Sequence, residues 1–205
     1  MEKPQGSVII LMEPDTIAED EFNDWYDNEH IPQRTEVPGL LSIERFVCTD
    51  GWPRYLALYD WDTLDVLSGP EYKAIHHVSK RTPWSRRILG RVRGWVRKEA
   101  IQVHPGRARF GEKGTPARVM LARIVDLQDA HLKKFLEALQ VHFAARPEVS
   151  QWRLFKSAGQ ERNEYWLVVE FRAVVTGATS GLMGISPESG SIDLINLYCK
   201  YWRAP

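Results

Sequence analysis

Cysteine is almost absent from this chain. Cys48 and Cys199 are the only two in 205 residues, too few for a disulfide framework and without metal-ligand spacing. Long apolar runs are missing as well: none approaches the roughly 20 residues of a membrane-crossing helix. Neither sign of charge is in excess, since 27 Lys and Arg balance 27 Asp and Glu. No overall field therefore draws the chain to nucleic acid or to an anionic membrane surface. The opening "MEKPQGSVII" shows no signal-peptide pattern, and a cytoplasmic protein is expected. No G-x-x-x-x-G-K-[ST], G-x-G-x-x-G or H-E-x-x-H occurs, nor a serine in a nucleophile elbow. Neither a metal nor a nucleotide is expected as cofactor.

What is present is a globular composition, 43% hydrophobic and 26% charged, long enough for one large domain or two small ones. The unusual residue is tryptophan. Eight of them serve either as core filler or as apolar walls for a flat aromatic ligand. Hydrophobic period and turn signals order the first half as β-α-β-β-α-β. "SVIILME" reads as a buried strand, followed by a helix that starts at a Thr16/Glu19 capping box and runs toward His30. "PGLLSIERFVC" and "DGWPRYLALYDW" form a hairpin, "SGPEYKAIHHVSKR" a second helix with Pro70 in its first turn, and "GWVRKEAIQV" the closing strand. This is the ferredoxin-like split unit.

The order recurs after about 110 residues. "ARVMLARIV", "DAHLKKFLEALQVHF", "PEVSQWRLFK", "EYWLVVEF" and "SIDLINLYCKYW" take the same places, with Gly/Ser-rich "TGATSGLMGISPESG" where the second helix stood. The reading is an α+β protein of two tandem ferredoxin-like units, residues 1–105 and 117–205, joined by a linker over 106–116. Their antiparallel sheets pair into a barrel with the helices outside, which suits strands that are apolar almost throughout. Tryptophan-rich surface and open sheet ends also predict a homodimer.

The first half carries the polar equipment. Phe22, Trp25, Tyr26, Glu29 and His30 fall on one helical face. His30 is then either a solvated helix cap, since Pro32 follows, or an inward-facing acid or base oriented by Glu29. The second helix offers Tyr72 and His76 on one face, with His77 about 100° away. At the position of His30 the second half has Leu139, which implies one site per chain. Trp84 is expected to wall the pocket with Phe22, Trp25, Tyr26 and Tyr72, and the "GATSGLMGISPESG" loop to act as a lid. "RRILGRVRGWVRK" is basic enough to aim an arginine at a substrate carboxylate, although a solvated strand edge explains it more simply.

"DEFNDWYDNEHIPQRTEVPGLLSIERF" resembles the first helix and following strand of the dimeric α/β-barrel superfamily, particularly its EthD-like branch, where W-Y-x-x-E-H-[IVL]-P precedes a Pro-Gly and a strand. "SGPEYKAI" and "TPWSRR" are similar to its second-helix region. The resemblance covers residues 5–105 and matches Trp25, Tyr26, Glu29, His30 and Pro32, with Tyr72 a weaker match. It implies a pocket between helices and sheet, often without cofactor. From these residues the expected function is a cofactor-free enzyme. His30, Glu29, Tyr72 and His76 would perform dehydration, cyclisation, isomerisation or hydrolysis on a small aromatic or polycyclic metabolite, with natural-product biosynthesis as the setting that the resemblance implies. The alternatives are a protein that binds and delivers such a metabolite, and an oxidoreductase that is either cofactor-independent or haem-dependent.

Overall fold

The computed structural model describes residues 3–159, 163–176 and 185–203. Eight strands form one closed, wholly antiparallel barrel: β1 (Gly6–Glu13), β2 (Leu40–Asp50), β3 (Tyr55–Trp61), β4 (Arg93–His104), β5 (Arg118–Val125), β6 (Val149–Ser157), β7 (Glu164–Phe171) and β8 (Ser191–Lys200). Their order around the barrel is β1-β3-β2-β8-β5-β7-β6-β4. Each group of four strands thus has the order fourth-first-third-second of a ferredoxin-like unit. The groups join edge to edge, β2 with β8 and β4 with β6. Closure leaves no unpaired strand edge among the described strands, so open sheet ends supply no argument for a dimer. Large apolar side chains do remain exposed, Ile17 at 94% and Trp202 at 79% among them.

Alternation along the strands sorts the side chains. Ile9 and Leu11 of β1, Leu56 and Leu58 of β3, and Leu121, Phe155, Trp166 and Val168 of the second group fill the barrel interior. Val8, Ile10, Met12, Tyr55, Ala57, Tyr59 and Trp61 face outward beneath helices. Both faces are buried, which is why these strands read as continuous apolar runs. Residues 106–116 are no slack connector. Phe110 enters the barrel interior, its N–H donates to Asp60 Oδ2 at 2.9 Å, and the Gly111 N–H donates to Glu170 Oε2 at 3.0 Å. Arg153, fully buried, pairs with Asp60 at 2.8 Å and lies 3.7 Å from Glu170. Those two carboxylates thus hold both the segment and the cation.

The helices differ from expectation in three places. Asp15, not Thr16, caps the first one, accepting from the Ile17 N–H at 3.3 Å, while the Glu19 carboxylate turns away to Arg54 and Tyr55. The helix also does not stop before Pro32. α1 (Glu19–Trp25) widens into a π-turn over Tyr26–His30, then continues as α2 (Ile31–Thr35). Proline lacks an N–H and is tolerated in the first turn of a helical segment, where α2 places it. Finally, the expected second helix is broken: α3 (Pro70–His76), a 3₁₀ turn over Val78–Lys80, and α4 (Pro83–Leu89). In the second half α5 (Asp129–Ala144) is a single uninterrupted helix. Most of the expected lid, residues 177–184, lies outside the described residues.

Candidate functional site

Because α1, α2, α3 and α4 are short and meet at angles, they do not seal the outward face of β1, β3 and β4. A cleft of about 680 Å³, its open mouth included, lies between them and the sheet. Its floor is Val8, Ile10, Tyr59 and Trp61; its walls include Trp25, His30, Arg34, Tyr72, His76 and Arg97.

The π-turn decides where the WYDNEH side chains go. Widening the helix by one residue rotates Glu29 and His30 to different neighbours. His30 turns to the cleft, its ring centroid 4.4 Å from that of Trp25, 5.0 Å from Tyr26 and 6.3 Å from Tyr59. Glu29 turns to α4. Its Oε1 accepts from Trp25 Nε1 at 3.0 Å, Thr82 Oγ1 at 2.7 Å and Ser85 Oγ at 2.8 Å. Glu29 is thus a latch holding α1 to α4, and the expected Glu29–His30 pair is not formed.

Of the other expected residues, Trp25, Tyr72 and His76 line the cleft. Phe22 packs instead between Trp25, Tyr26 and Tyr55. Tyr26 is buried behind His30 with the Arg45 guanidinium 4.2 Å from its ring. Trp84 is half-buried outside the cleft, its Nε1 without a partner. His77 faces away and caps the 3₁₀ turn through Ser79.

Sequence reasoning missed Arg34, Tyr59, Trp61, Arg81 and Lys80, and named Arg97 only as one of a basic run. A signal existed for Arg34: it follows His30 by four residues, the spacing of one helical face. Assuming that Pro32 stops the helix concealed it. Arg97 alternates outward with Trp95 on β4, and its Nη2 donates to Tyr72 Oη at 3.0 Å.

Electrostatically the lining is one-sided. Arg34, Lys80, Arg81 and Arg97 contribute four cations and the lining contains no Asp or Glu; only Arg97 has an acidic partner, Glu99, in the described structure. Burial holds the His30 imidazole well below its ordinary value near 6.5, helped by the Arg34, His76 and Arg45 charges. Burial, with Arg97 and Arg34 nearby, brings His76 down to about 4. Both rings are neutral at pH 7. Burial holds the Tyr59 phenol well above its ordinary value, with Tyr26 adding to the effect, so it remains a donor. Tyr59 Oη, Trp61 Nε1 and Arg97 Nε are buried without a hydrogen-bond partner. The cleft lining therefore combines unpartnered donors with an excess of positive charge.

No protein-family profile matches the chain, and no curated protein matches it. Solved structures do. An anthrone oxidase-like protein superposes with TM-score 0.60 at 14% identity, covering 98% of this chain and 93% of its own. A mutant chlorite dismutase of Candidatus Nitrospira defluvii with cyanide gives 0.59 at 11%, covering 98% and 92%. A haem-binding protein of Thermus thermophilus gives 0.54 at 9%, covering 97% and 91%. The fold is the dimeric α/β barrel, completed here by one chain. The expected cofactor-free chemistry of dehydration, cyclisation, isomerisation or hydrolysis is corrected by these neighbours. Their names speak of oxidation, chlorite dismutation and haem.

A haem, which the fold brings into question, does not suit this cleft. An axial histidine normally donates its second ring N–H to a carboxylate or carbonyl, which fixes its orientation. Neither His30 nor His76 has such an acceptor among the described residues, and Glu29 Oε1 accepts instead from Trp25, Thr82 and Ser85.

Proposed function

We propose that the chain is an oxidoreductase that oxidises a small aromatic molecule with dioxygen in the cleft of the first half. The observation that supports it is the lining: aromatic walls, a neutral imidazole, unpartnered donors, and four cations with no carboxylate among the lining residues. Such a surface favours the deprotonated form of a weakly acidic aromatic. His30 accepts the substrate proton and the cations hold the resulting anion, whose electron-rich ring passes electrons to dioxygen. For an activated ring methylene the balance is one dioxygen in, one carbonyl and one water out. The two methylene hydrogens end in that water. Trp25 and Trp61 orient the ring, and Tyr59 donates to its oxygen.

The W-Y-x-x-E-H-I-P stretch supports the EthD-like branch of the superfamily, in a single-chain form whose units span residues 1–105 and 117–205. The deciding experiment incubates purified protein with a panel of phenolic and polycyclic aromatics, in air and under argon, and records product masses. The expected product gains one oxygen, taken from isotopically labelled dioxygen, and loses two hydrogens. Identical products under argon would end the oxidoreductase reading. Titration with haemin tests the other route: no Soret shift attributable to a histidine ligand is expected, and one that vanishes in His30→Ala would restore haem.

A further inference from the structure

We infer that the ligand of this cleft carries a carboxylate, and that Arg34 is the residue that binds it. The inference rests on the cleft of the proposed oxidation but not on the chemistry done there.

Arg34 is only 7% exposed, and its one hydrogen bond joins Nη1 to the side-chain amide of neighbouring Gln33 at 3.1 Å. It has no carboxylate partner among the described residues. Two other buried arginines, both outside the cleft, are treated differently: Arg45 pairs with Asp27 at 2.8 Å and Arg153 with Asp60 at 2.8 Å. A buried cation left unpaired is costly, so a protein that pairs two and leaves a third facing a cavity has reserved that one. A guanidinium presents a rigid planar fork that matches a carboxylate better than any other common acceptor.

A second observation points the same way. Tyr59 Oη and Trp61 Nε1, both nine-tenths buried or more, line the same cleft with no partner. Neither can be satisfied by a neutral hydrocarbon, whereas carboxylate oxygens offer about four acceptor sites between them. Val8, Ile10 and Trp25 supply an apolar floor and wall beside these donors. The recognised molecule is thus a flat aromatic body with an acidic group at its buried end. Lys80 and Arg81 add positive charge along the same lining, which favours capture of an anion.

The test compares two probes of nearly equal shape on the wild-type protein, 2-naphthoate and 2-naphthalenemethanol, by calorimetry and by quenching of tryptophan fluorescence. Naphthoate is expected to bind at least about tenfold tighter, the worth of one charge-assisted hydrogen bond, and to weaken as salt is raised. Arg34→Met should erase that preference while leaving the alcohol's affinity within about twofold, and Arg34→Lys should restore part of it. Equal affinity of the two probes for wild type overturns the inference, as does no naphthoate binding at millimolar concentration. Retained preference in a folded Arg34→Met protein overturns it too. Naphthoate binding without any oxidised product in the panel above would sink the proposed reaction alone. Oxidation of neutral aromatics with no carboxylate preference would sink this inference alone.

Discussion

Tyr59 and Trp61 of β3 and Arg97 of β4 occupy places that strand register makes equivalent to Val169 and Phe171 of β7 and Ile195 of β8. Val8 pairs with Tyr59 and Ile10 with Arg97; Met120 pairs with Val169 and Ala122 with Ile195. In one half the outward sheet carries donors and a cation. In the other it carries hydrocarbon. Above the second sheet the continuous α5 buries Phe135, Leu139 and Phe143 in one apolar cluster with the strands. Above the first, a π-turn interrupts one helix, the other is broken into α3 and α4, and a cleft lies beneath them. The same strand order thus serves two purposes, and the choice lies in how continuous the covering helix is. A regular helix repeats its contacts every 3.6 residues and closes a seam. An interrupted one leaves gaps, and polar side chains fill their edges.

The largest expected effect tests whether the cleft alone carries chemistry. His30→Leu gives the first half the apolar residue that the second half has in Leu139. It should lower product formation by about 10²–10⁴-fold, the usual loss of a positioned proton acceptor, with the melting temperature within a few degrees of wild type. Turnover within threefold would remove His30 from the reaction. The next contrast is in stability. Phe171→Ala should cost about 3–5 kcal/mol in a denaturant titration, because the second sheet is fully packed. Trp61→Phe at the equivalent place should cost less than about 1.5 kcal/mol, since phenylalanine keeps much of the ring packing and the indole N–H has no partner to lose. Similar costs at both positions would mean that the cleft is not open in solution.

Smaller again, Glu29→Ala should cost about 1–3 kcal/mol by orphaning the hydroxyl donors of Thr82 and Ser85, with Glu29→Gln milder. If Glu29 acted on His30 rather than as a latch, turnover would fall while stability held. The smallest effect concerns acid. His30 and His76 are depressed in the folded chain, so the unfolded chain binds more protons below about pH 6.5. Their contribution to stability is complete above that pH and is lost as pH falls toward about 4, where His76 titrates. His76→Gln should flatten the fall of melting temperature across that window; an unchanged slope would show that His76 is not buried against its arginines.

Much of the barrel was legible in the residues. All eight strands follow from apolar runs bounded by Pro, Gly and Asp, and the recurrence of their order gave the pairing of two ferredoxin-like groups. Those signals are local, and hydrophobic period records them well. The covering helices were less legible. Pro32 looks like a stop because proline usually is one, and only the wider hydrogen-bond pattern of the π-turn lets the chain pass it. That single misreading hid Arg34 and placed Glu29 beside His30 instead of against α4. Trp25, His30, Tyr72 and His76 were named because aromatic and imidazole side chains on one face stand out. Tyr59 and Trp61 were not, since in a strand buried on both faces nothing in the pattern says which face meets a cavity.

Closure of the barrel by β2 with β8 and β4 with β6, all within one polypeptide, bears on symmetry. When two identical copies complete a barrel, every substitution is made twice, and a change that opens a cleft in one half opens it in the other. Each apolar seam lost to a binding site is then lost on both sides. In a single chain each half changes by itself. Leu139 can stay buried in a sealed seam while His30 borders an opening, and the stability given up for one site is drawn from only half of the molecule.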